Sequence, residues 1–410
     1  MTDLESRPLR LGFIPLNDCA PLAAARDLGL FADEGLEVTL SREASWANVR
    51  DKVAAGLLDG AHILAPLPLA ASLGAGSERV DMIVPLALNL NGSAITIGAA
   101  HAQAMRALDP EGMAGRPRTA RPLAKLICAR RERGERPLIF AVVFPFSMHN
   151  YELRYWLAEG GIDPDRDVQL VVVPPPRMAA RLSSGDIDGF CVGAPWNALA
   201  VSEGYGEILI RASEFWRLGP DKAFGVTADW ARRNPGTLRA LLRALLRAAI
   251  WADDPANRPE LARMLARPEY VDAPVEVVSQ SLSGPNSLIF HRHAASYPWR
   301  SHAVWFLSQM LRWGQIGPGT DLAAVAARVY QPDAYRDAAA ELGVAAPIVD
   351  EKLEGAHAEP WLLVQATDPI RMGPDTLFDG RQFDAGQASN YAESFAIGRL
   401  EVCGAQDPAG

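Results

Sequence analysis

The sequence predicts an α/β protein with two lobes, each built on a mostly parallel sheet flanked by helices. Two alternating series of strand-like and helix-like segments indicate this fold. The length of 410 residues also exceeds that of one typical domain. We expect lobe 1 over residues 9–98 and 222–410, including a C-terminal helical extension, a basic linker with a helix over residues 99–136, and lobe 2 over residues 137–213.

The first series has the order strand, helix, strand, helix, strand. "LRLGFIPL" is apolar enough for a buried strand, and "APLAAARDLGLFADEG" has the periodicity of a helix that ends at Gly35. "LEVTLSRE" alternates as a second strand, "SWANVRDKVAAGLLDG" predicts another helix, and "AHILA" predicts a third strand. This order is typical of a parallel sheet with helices on both faces, which binds ligands beyond the carboxyl ends of its strands.

The second series follows an arginine-rich segment, in which a helix is expected from about Leu123 to Arg133. The series runs from "LIFAVVFP" to "EILIRAS", and the chain then returns through "KAFGVTADW" to a long helix from Pro235 to about Ala252. "HAVWFLSQMLRWGQI" predicts a further helix packed on lobe 1. Two lobes joined by more than one crossing form a cleft that can close on a ligand.

Composition and charge exclude several classes of protein. The net charge of −9 argues against direct nucleic-acid binding, which relies on Lys and Arg. No apolar run reaches the roughly 20 residues that a bilayer span requires. "MTDLESRPLR" lacks the apolar core of an export signal, so we expect a cytoplasmic protein without membrane contact. The four cysteines are far apart and lack CxxC spacing, so we expect buried, reduced thiols.

Sequence motifs of catalysis are missing. The chain has no GxxxxGK[ST] loop, no GxSxG elbow and no HExxH motif. His291 and His293 could chelate a metal, but no carboxylate or cysteine stands at ligand spacing beside them. We therefore expect a binding protein rather than an enzyme, with no cofactor and no metal.

One histidine occupies an unusual position in "VVFPFSMHNYELRYWL". His149 stands where an apolar strand gives way to an amphipathic helix. It could simply cap that helix or fill a gap beneath Phe146 and Tyr151. A helix N-terminus also favours a bound anion, because its first N–H groups are unpaired and its dipole is positive there.

Longer motifs resemble a known family. "EASWANVRDKVAAGLLDGAHILAPLPLA", "LNLNGSAITIG", "GGIDPDRDVQLVVVPPPRM" and "GFCVGAPWNA" resemble the nitrate-binding family of solute-binding proteins, over nearly the whole chain from about Leu9. The resemblance implies the type II periplasmic-binding-protein fold. Exported members of that family serve ABC importers for nitrate or bicarbonate. Without an export signal, the chain is most similar to the cytoplasmic nitrate/nitrite sensors, which are NasS-like.

The resemblance also implies a ligand site, formed by Trp46, Ser93, His149, Gly193 and Lys222. Nitrate spreads one charge over three oxygens, so its site needs a cation and several donors. Trp46 offers an N–H that cannot accept, and Lys222 supplies the positive charge. Ser93 stands where nitrate binders carry a longer amide. Lys222 favours nitrate over bicarbonate, since the bicarbonate binders of the family have an acidic residue there.

Three functions from different classes follow. The first is a cytoplasmic nitrate or nitrite sensor that holds a NasT-like, RNA-binding antiterminator and releases it when the anion binds. The second is the substrate-binding component of a nitrate/bicarbonate-type ABC importer. The third is an enzyme, because pyrimidine synthases for thiamine share this fold; those enzymes carry a cysteine-rich motif, which the isolated Cys191 does not supply.

Overall fold

A computed structural model describes residues 4–6, 8–284 and 287–395. Two five-stranded sheets, each flanked by helices, make up the two lobes. The strands of the described residues are β1 (Pro8–Phe13), β2 (Glu37–Arg42), β3 (Gly60–Leu64), β4 (Met82–Leu90), β5 (Ser93–Gly98), β6 (Leu138–Val142), β7 (Val168–Val172), β8 (Gly189–Gly193), β9 (Gly206–Arg211), β10 (Pro220–Thr227), β11 (Trp361–Leu363) and β12 (Ile370–Met372).

The helices cover both sheets and recur through the C-terminal third. They are α1 (Ala20–Asp27), α2 (Leu30–Asp33), α3 (Trp46–Ala54), α4 (Leu67–Leu73), α5 (Ala99–Leu108), α6 (Pro110–Ala114), α7 (Arg121–Glu132), α8 (Met148–Glu159), α9 (Met178–Ser183), α10 (Trp196–Ser202), α11 (Ala212–Phe215), α12 (Ala228–Arg233), α13 (Pro235–Asp253), α14 (Arg258–Leu265), α15 (Val275–Leu282), α16 (Arg300–Arg312), α17 (Leu322–Val329), α18 (Pro332–Glu341) and α19 (Ala388–Glu393). In the part of the chain that the structure describes, no helix is long and apolar enough to cross a membrane.

The sheet of lobe 1 has the strand order β2-β1-β3-β10-β4. β1 pairs in parallel with β2 and β3, as the alternating pattern predicts, and buries Leu9, Leu11 and Phe13. β10 is antiparallel to both β3 and β4, because it returns from the other lobe. The sheet is therefore mixed, with its parallel part at the β1–β2 edge.

The sheet of lobe 2 repeats this plan in the order β7-β6-β8-β5-β9. β6 pairs in parallel with β7 and β8, and β5 is antiparallel to β8 and β9. The two-lobed α/β architecture predicted from the sequence is thus confirmed.

The predicted lobe boundary at Gly98 is wrong, because β5 belongs to the second sheet. The chain leaves lobe 1 at Asn91 and Gly92, whose φ angles are 62° and 106°, and returns near Leu218, whose φ is 60°. The Asn91 N–H donates to the Gly219 carbonyl oxygen at 2.8 Å, which joins the two crossings. An apolar strand such as "SAITIG" suits either sheet, so its sequence does not reveal which one it joins.

Two other segments differ from expectation. Residues 99–136 form α5, α6 and α7, of which α5 packs on β5 and β9 of lobe 2. In the C-terminal part, α17 and α18 pack on lobe 1, whereas the Tyr155 hydroxyl of lobe 2 donates to Asp379 at 2.6 Å. The C-terminal part therefore contacts both lobes.

The cysteines match the expectation only in part. Cys19 and Cys191 are buried free thiols, but Cys128 is disulfide-bonded, so the prediction of a reduced thiol is wrong there. Cys403 lies outside the described residues. Linear spacing did not reveal the bond of Cys128, because the fold decides which thiols meet.

Candidate functional site

The predicted ligand residues come from both lobes. Trp46 is the first residue of α3 and His149 the second residue of α8, while Ser93, Gly193 and Lys222 lie at the start of β5, at the end of β8 and within β10. Ser45 and Ser147 cap the two helices by accepting from the N–H groups of Asn48 and Asn150, which fixes where each helix begins.

The structure brings four of these residues together. The ammonium of Lys222 lies 5.9 Å from the centre of the Trp46 ring. A Cβ atom added to Gly193 would lie 3.5 Å from Nε2 of His149 and 3.2 Å from Oδ2 of Asp18, so a larger residue would crowd the site. The Ser93 side chain points elsewhere, because its hydroxyl donates to Glu152 at 2.5 Å.

The two lobes are in contact over this site. The Asn17 N–H donates to the Ala194 carbonyl oxygen at 2.9 Å, and the Trp196 indole N–H donates to the Pro15 carbonyl oxygen at 3.0 Å. Trp46, His149 and Lys222 are almost completely buried. The cleft is therefore closed, and its polar groups are shielded from solvent.

Lys222 does not supply an unmatched charge, as the sequence analysis expected. Its ammonium lies 2.6 Å from Oδ2 of Asp221 and 2.9 Å from Oδ2 of Asp18. Burial opposes the charge of Lys222, but the two carboxylates outweigh burial and raise its pKa. We call Asp18, Asp221, Lys222, His62 and His149 the cleft cluster.

His62 fixes the other side of Asp18. Its Nε2 atom lies 2.7 Å from Oδ1 of Asp18, and its Nδ1 atom accepts from the Ile14 N–H at 3.4 Å. This pair of contacts fits a neutral ring with the proton on Nε2. Burial lowers the pKa of His62, although Asp18 opposes the change. For Asp18, Lys222 and His62 outweigh burial and hold the pKa well below its usual range.

Asp221 has one close ion-pair partner, Lys222, whereas Asp18 has two, Lys222 and His62. Burial raises the pKa of Asp221 to about 6, with Asp18 adding to burial and Lys222 offsetting it only in part. Oδ1 of Asp221 lies 3.8 Å from Nε2 of His149, beyond hydrogen-bond distance. Near neutral pH, the cleft cluster therefore holds one ammonium and two carboxylates, one of which is close to its protonation point.

Unpaired donors complete the site. Within the described residues, Nε1 of Trp46 and both ring nitrogens of His149 are buried without a hydrogen-bond partner. Burial, followed by the charge of Lys222, lowers the pKa of His149 well below its usual value, so the ring is neutral. Buried donors without partners are costly. A ligand that accepts hydrogen bonds would satisfy them, and the N-termini of α3 and α8 favour a negative one.

Glu152 lies behind the cluster on the same helix as His149. It accepts from Ser93 at 2.5 Å and from the Cys191 thiol at 3.6 Å through the same oxygen. Burial raises the pKa of Glu152 to about 8, although the Ser93 hydrogen bond works in the opposite direction. Its carboxyl group is therefore mostly neutral at pH 7.

The sequence analysis missed Asp18, His62, Glu152 and Asp221. A usable signal existed for Asp221, which directly precedes Lys222 and whose charge must affect that lysine. No local signal marked Asp18 or His62, because the contacts that define them join separate segments.

The fold and the closed polar cleft define a two-lobed solute-binding protein. A model of the NMT1-like family matches residues 2–266, and the chain belongs to this family and to its nitrate-binding, NrtA-like branch. It is 35% identical to the nitrate/nitrite binding protein NrtA of Synechococcus elongatus over 97% of this chain and 88% of that protein.

A solved structure shows the same likeness. The crystal structure of the periplasmic nitrate-binding protein NrtA from Synechocystis PCC 6803 superposes with a TM-score of 0.81 at 30% identity, covering 96% of this chain and 99% of that one. The chain is also 35% identical to the bicarbonate transport ATP-binding protein CmpC of Synechococcus elongatus, and spans about half of it, 56%. The names of these relatives describe binding of nitrate or nitrite and transport of bicarbonate.

Proposed function

We propose that the closed cleft binds one nitrate or nitrite ion per chain. The observation that carries this proposal is the set of buried, unpaired donors on Trp46 and His149 beside the ammonium of Lys222. Nitrate is planar, carries one charge and only accepts hydrogen bonds, so it suits such donors. The relatives named as nitrate-binding proteins support the same ligand.

The charges of the cleft cluster constrain how an anion binds. A buried anion added beside Asp18 and Asp221 raises the negative charge of the site, which is costly at low dielectric. Protonation of Asp221 removes one of those charges at a modest cost, because its pKa is about 6. We infer that nitrate binding is accompanied by uptake of a proton at Asp221.

Bicarbonate is the second candidate ligand, and Asp221 is the observation that favours it. Bicarbonate carries a hydroxyl, and Oδ1 of Asp221 is buried without a hydrogen-bond partner among the described residues. A carboxylate that accepts from that hydroxyl would select bicarbonate over nitrate. The relative named as a bicarbonate transport protein supports this second candidate.

Calorimetric titration of the purified chain with nitrate, nitrite and bicarbonate separates these candidates. We expect saturable binding of nitrate and nitrite at one ion per chain, and weak or no binding of bicarbonate. A bicarbonate response without a nitrate response would overturn the nitrate proposal and assign Asp221 as the selective residue.

The proposal extends to signalling. We propose that the chain is a cytoplasmic sensor whose anion-free form holds a NasT-like, RNA-binding antiterminator and releases it when nitrate binds. An anion can shift two states only through its different affinities for them. Nitrate that contacts both lobes stabilises the closed form, and a partner that prefers the open form must weaken nitrate binding by the same factor.

A pull-down tests this role against that of an importer's substrate-binding component, the alternative that the names of the relatives support. The tagged chain is incubated with the antiterminator and increasing nitrate. Release should follow nitrate occupancy, and the Trp46→Phe variant should need about tenfold more nitrate. A complex that survives saturating nitrate, or no complex at all, would favour the importer role.

A further inference from the structure

A cavity lies at the hinge between the lobes, apart from the cleft cluster. Its volume is about 1000 Å³, which is ample for a small metabolite. It reaches both chain crossings, at Asn91 and Leu218, and none of the five residues of the cleft cluster lines it. The cavity is therefore separate from the site where we place nitrate.

The walls of this hinge cavity come from both lobes. Ser213 and Glu214 lie in α11, which packs on β9 of lobe 2, and Arg116 lies 3.6 Å from Glu214, while Arg258 and Arg292 lie on the lobe 1 side. A molecule that contacts both walls would connect the lobes beside the two chain crossings.

The polar lining of the hinge cavity is rich in cations. It includes four arginines, against the two carboxylates of Asp253 and Glu214; the arginines are Arg116, Arg217, Arg258 and Arg292. The carboxylate of Asp253 already has hydrogen-bond partners, since it accepts from the Arg292 backbone N–H at 2.7 Å and from Nη2 of Arg258 at 2.8 Å. The cavity consequently carries more positive charge than its carboxylates neutralise.

Arg258 gives a second, independent indication of a ligand. Its side chain is 9% exposed. Its Nη2 atom donates to Asp253 and to the Leu288 carbonyl oxygen at 2.9 Å, but Nη1 is buried with no hydrogen-bond partner in the described ranges. An arginine donor left in this state is costly unless an acceptor enters the cavity that it lines.

We propose that the hinge cavity binds a multivalent oxyanion, a small di- or tricarboxylate or a phosphorylated molecule. One anionic group pairs with Arg258 and Arg292 on lobe 1, and the other pairs with Arg116 and Arg217. Such a ligand bridges the lobes, so its binding changes the balance between the open and closed cleft and thereby the affinity for nitrate. This inference adds a second, regulatory ligand to the proposed function.

Calorimetry with two probes tests the site. Citrate represents polycarboxylates and pyrophosphate represents phosphorylated ligands. Each is titrated at constant ionic strength, and sulfate is the control for non-specific attraction of a multivalent anion to the arginines. We expect at least one probe to bind at one per chain, at least tenfold more tightly than sulfate, and to change the nitrate dissociation constant at least threefold. The probe that binds more tightly shows whether the natural ligand is a polycarboxylate or a phosphorylated molecule.

The variants use exposed arginines, so that folding is preserved. The double variant Arg116→Gln/Arg217→Gln should weaken probe binding at least tenfold and leave nitrate binding without the probe unchanged. Arg181→Gln is the matched control, because Arg181 and Arg116 are 50% and 51% exposed and each pairs with one carboxylate. The proposal is overturned if neither probe exceeds sulfate, or if the double variant binds the probe as the control does. Nitrate titration of the same proteins reports separately on the cleft.

Discussion

Two lysines of this chain each lie between two carboxylates, yet their surroundings differ. Lys222 of the cleft cluster contacts Asp18 and Asp221. Lys352 contacts Glu354 and lies 3.7 Å from Asp375, in a group far from the cleft residues in sequence. We call Lys352, Glu354, Asp375, Ser301 and His302 the second lysine cluster.

The carboxylates of the second lysine cluster are well supplied with partners, although Nε2 of His302 is buried without a hydrogen-bond partner among the described residues. Glu354 accepts from the Ser301 hydroxyl at 2.6 Å and lies 3.3 Å from Nε2 of His302. Although burial opposes its charge, Lys352 and His302 outweigh burial and lower the pKa of Glu354 to about 2. This arrangement stabilises the charged form of Glu354.

The cleft cluster has the same kinds of groups with fewer hydrogen bonds. Asp221 has Lys222 as its partner and Asp18 as a repelling neighbour, and its pKa is raised to about 6 rather than lowered. The donors of Trp46 and His149 are unused. The difference teaches that neither a buried ion pair nor an unpaired donor by itself marks a binding site; the cleft cluster stands apart because its unpaired donors lie beside Lys222 and a carboxylate whose pKa is raised rather than lowered.

The largest effect should follow the loss of the cleft lysine. Lys222→Met leaves two buried carboxylates without their countercharge, so we expect the free energy of unfolding to fall by about 3–5 kcal/mol and nitrate binding to be lost. Urea unfolding followed by circular dichroism, together with nitrate titration, measures both effects.

A double variant separates stability from binding. Lys222→Met/Asp221→Asn should regain part of the lost stability, because one uncompensated charge is gone, but should still not bind nitrate. Nitrate binding by the double variant would contradict the assignment of Lys222 to the ligand.

The next largest effect should be an increase in nitrate affinity when the charge of Asp221 is removed. Asp221→Asn removes a negative charge beside the proposed nitrate position and keeps an acceptor for Lys222, so we expect nitrate to bind about tenfold more tightly. Asp375→Asn, in the second lysine cluster, is the matched control and should leave nitrate affinity unchanged. Equal responses of the two variants would contradict the comparison.

Nitrate affinity should also depend on pH in a defined direction. Ionisation of Asp221 adds a negative charge, so affinity should fall as the pH rises through about 6, by up to tenfold per pH unit. Calorimetry in two buffers of different ionisation enthalpy counts the proton taken up. The Asp221→Asn variant should lose this dependence, and a flat profile for the unmodified chain would exclude proton uptake at Asp221.

A smaller change in nitrate affinity, this time a loss, is expected when the indole of Trp46 is replaced. Trp46→Phe removes one donor and keeps most of the ring, so nitrate affinity should fall by about 1–2 kcal/mol, roughly tenfold. Trp361→Phe changes another unpaired indole outside the cleft and should have no effect on nitrate. Nitrite, with one oxygen fewer, provides a second ligand on which to compare the two variants.

Much of the fold could be predicted from the sequence, because the periodicity of apolar residues that indicates a helix or a strand lies within one short segment of the chain. The long helix predicted from Pro235 to about Ala252 is α13, Pro235–Asp253. The position of β5 could not be predicted in this way, since the sequence of an apolar strand does not indicate which sheet it joins. Long-range pairing with β8 and β9 decides where it belongs.

The site shows the same limit. The family motifs located Trp46, His149 and Lys222, which the fold brings together. They did not reveal that Lys222 is neutralised, because Asp18 stands 204 positions earlier in the chain than Lys222 and reaches it only when β1 and β10 join the same sheet of lobe 1. The net charge of a site depends on all the residues that the fold brings together, and a sequence motif identifies only one of those residues.

The smallest effect on nitrate at pH 7 should come from Glu152. Its pKa of about 8 means that the carboxyl group is already mostly neutral, and glutamine at this position retains an acceptor for the Ser93 hydroxyl. Glu152→Gln should therefore bind nitrate as the unmodified chain does at pH 7. As the pH rises through about 8, Glu152 ionises and adds a buried negative charge near the ligand, so the affinity of the unmodified chain should fall more steeply than that of the variant, in which only the effect of Asp221 remains. Titrations at pH 7 and pH 9 measure the divergence, and parallel profiles would show that Glu152 does not affect the anion. Its only remaining role would then be to orient Ser93 away from the cleft.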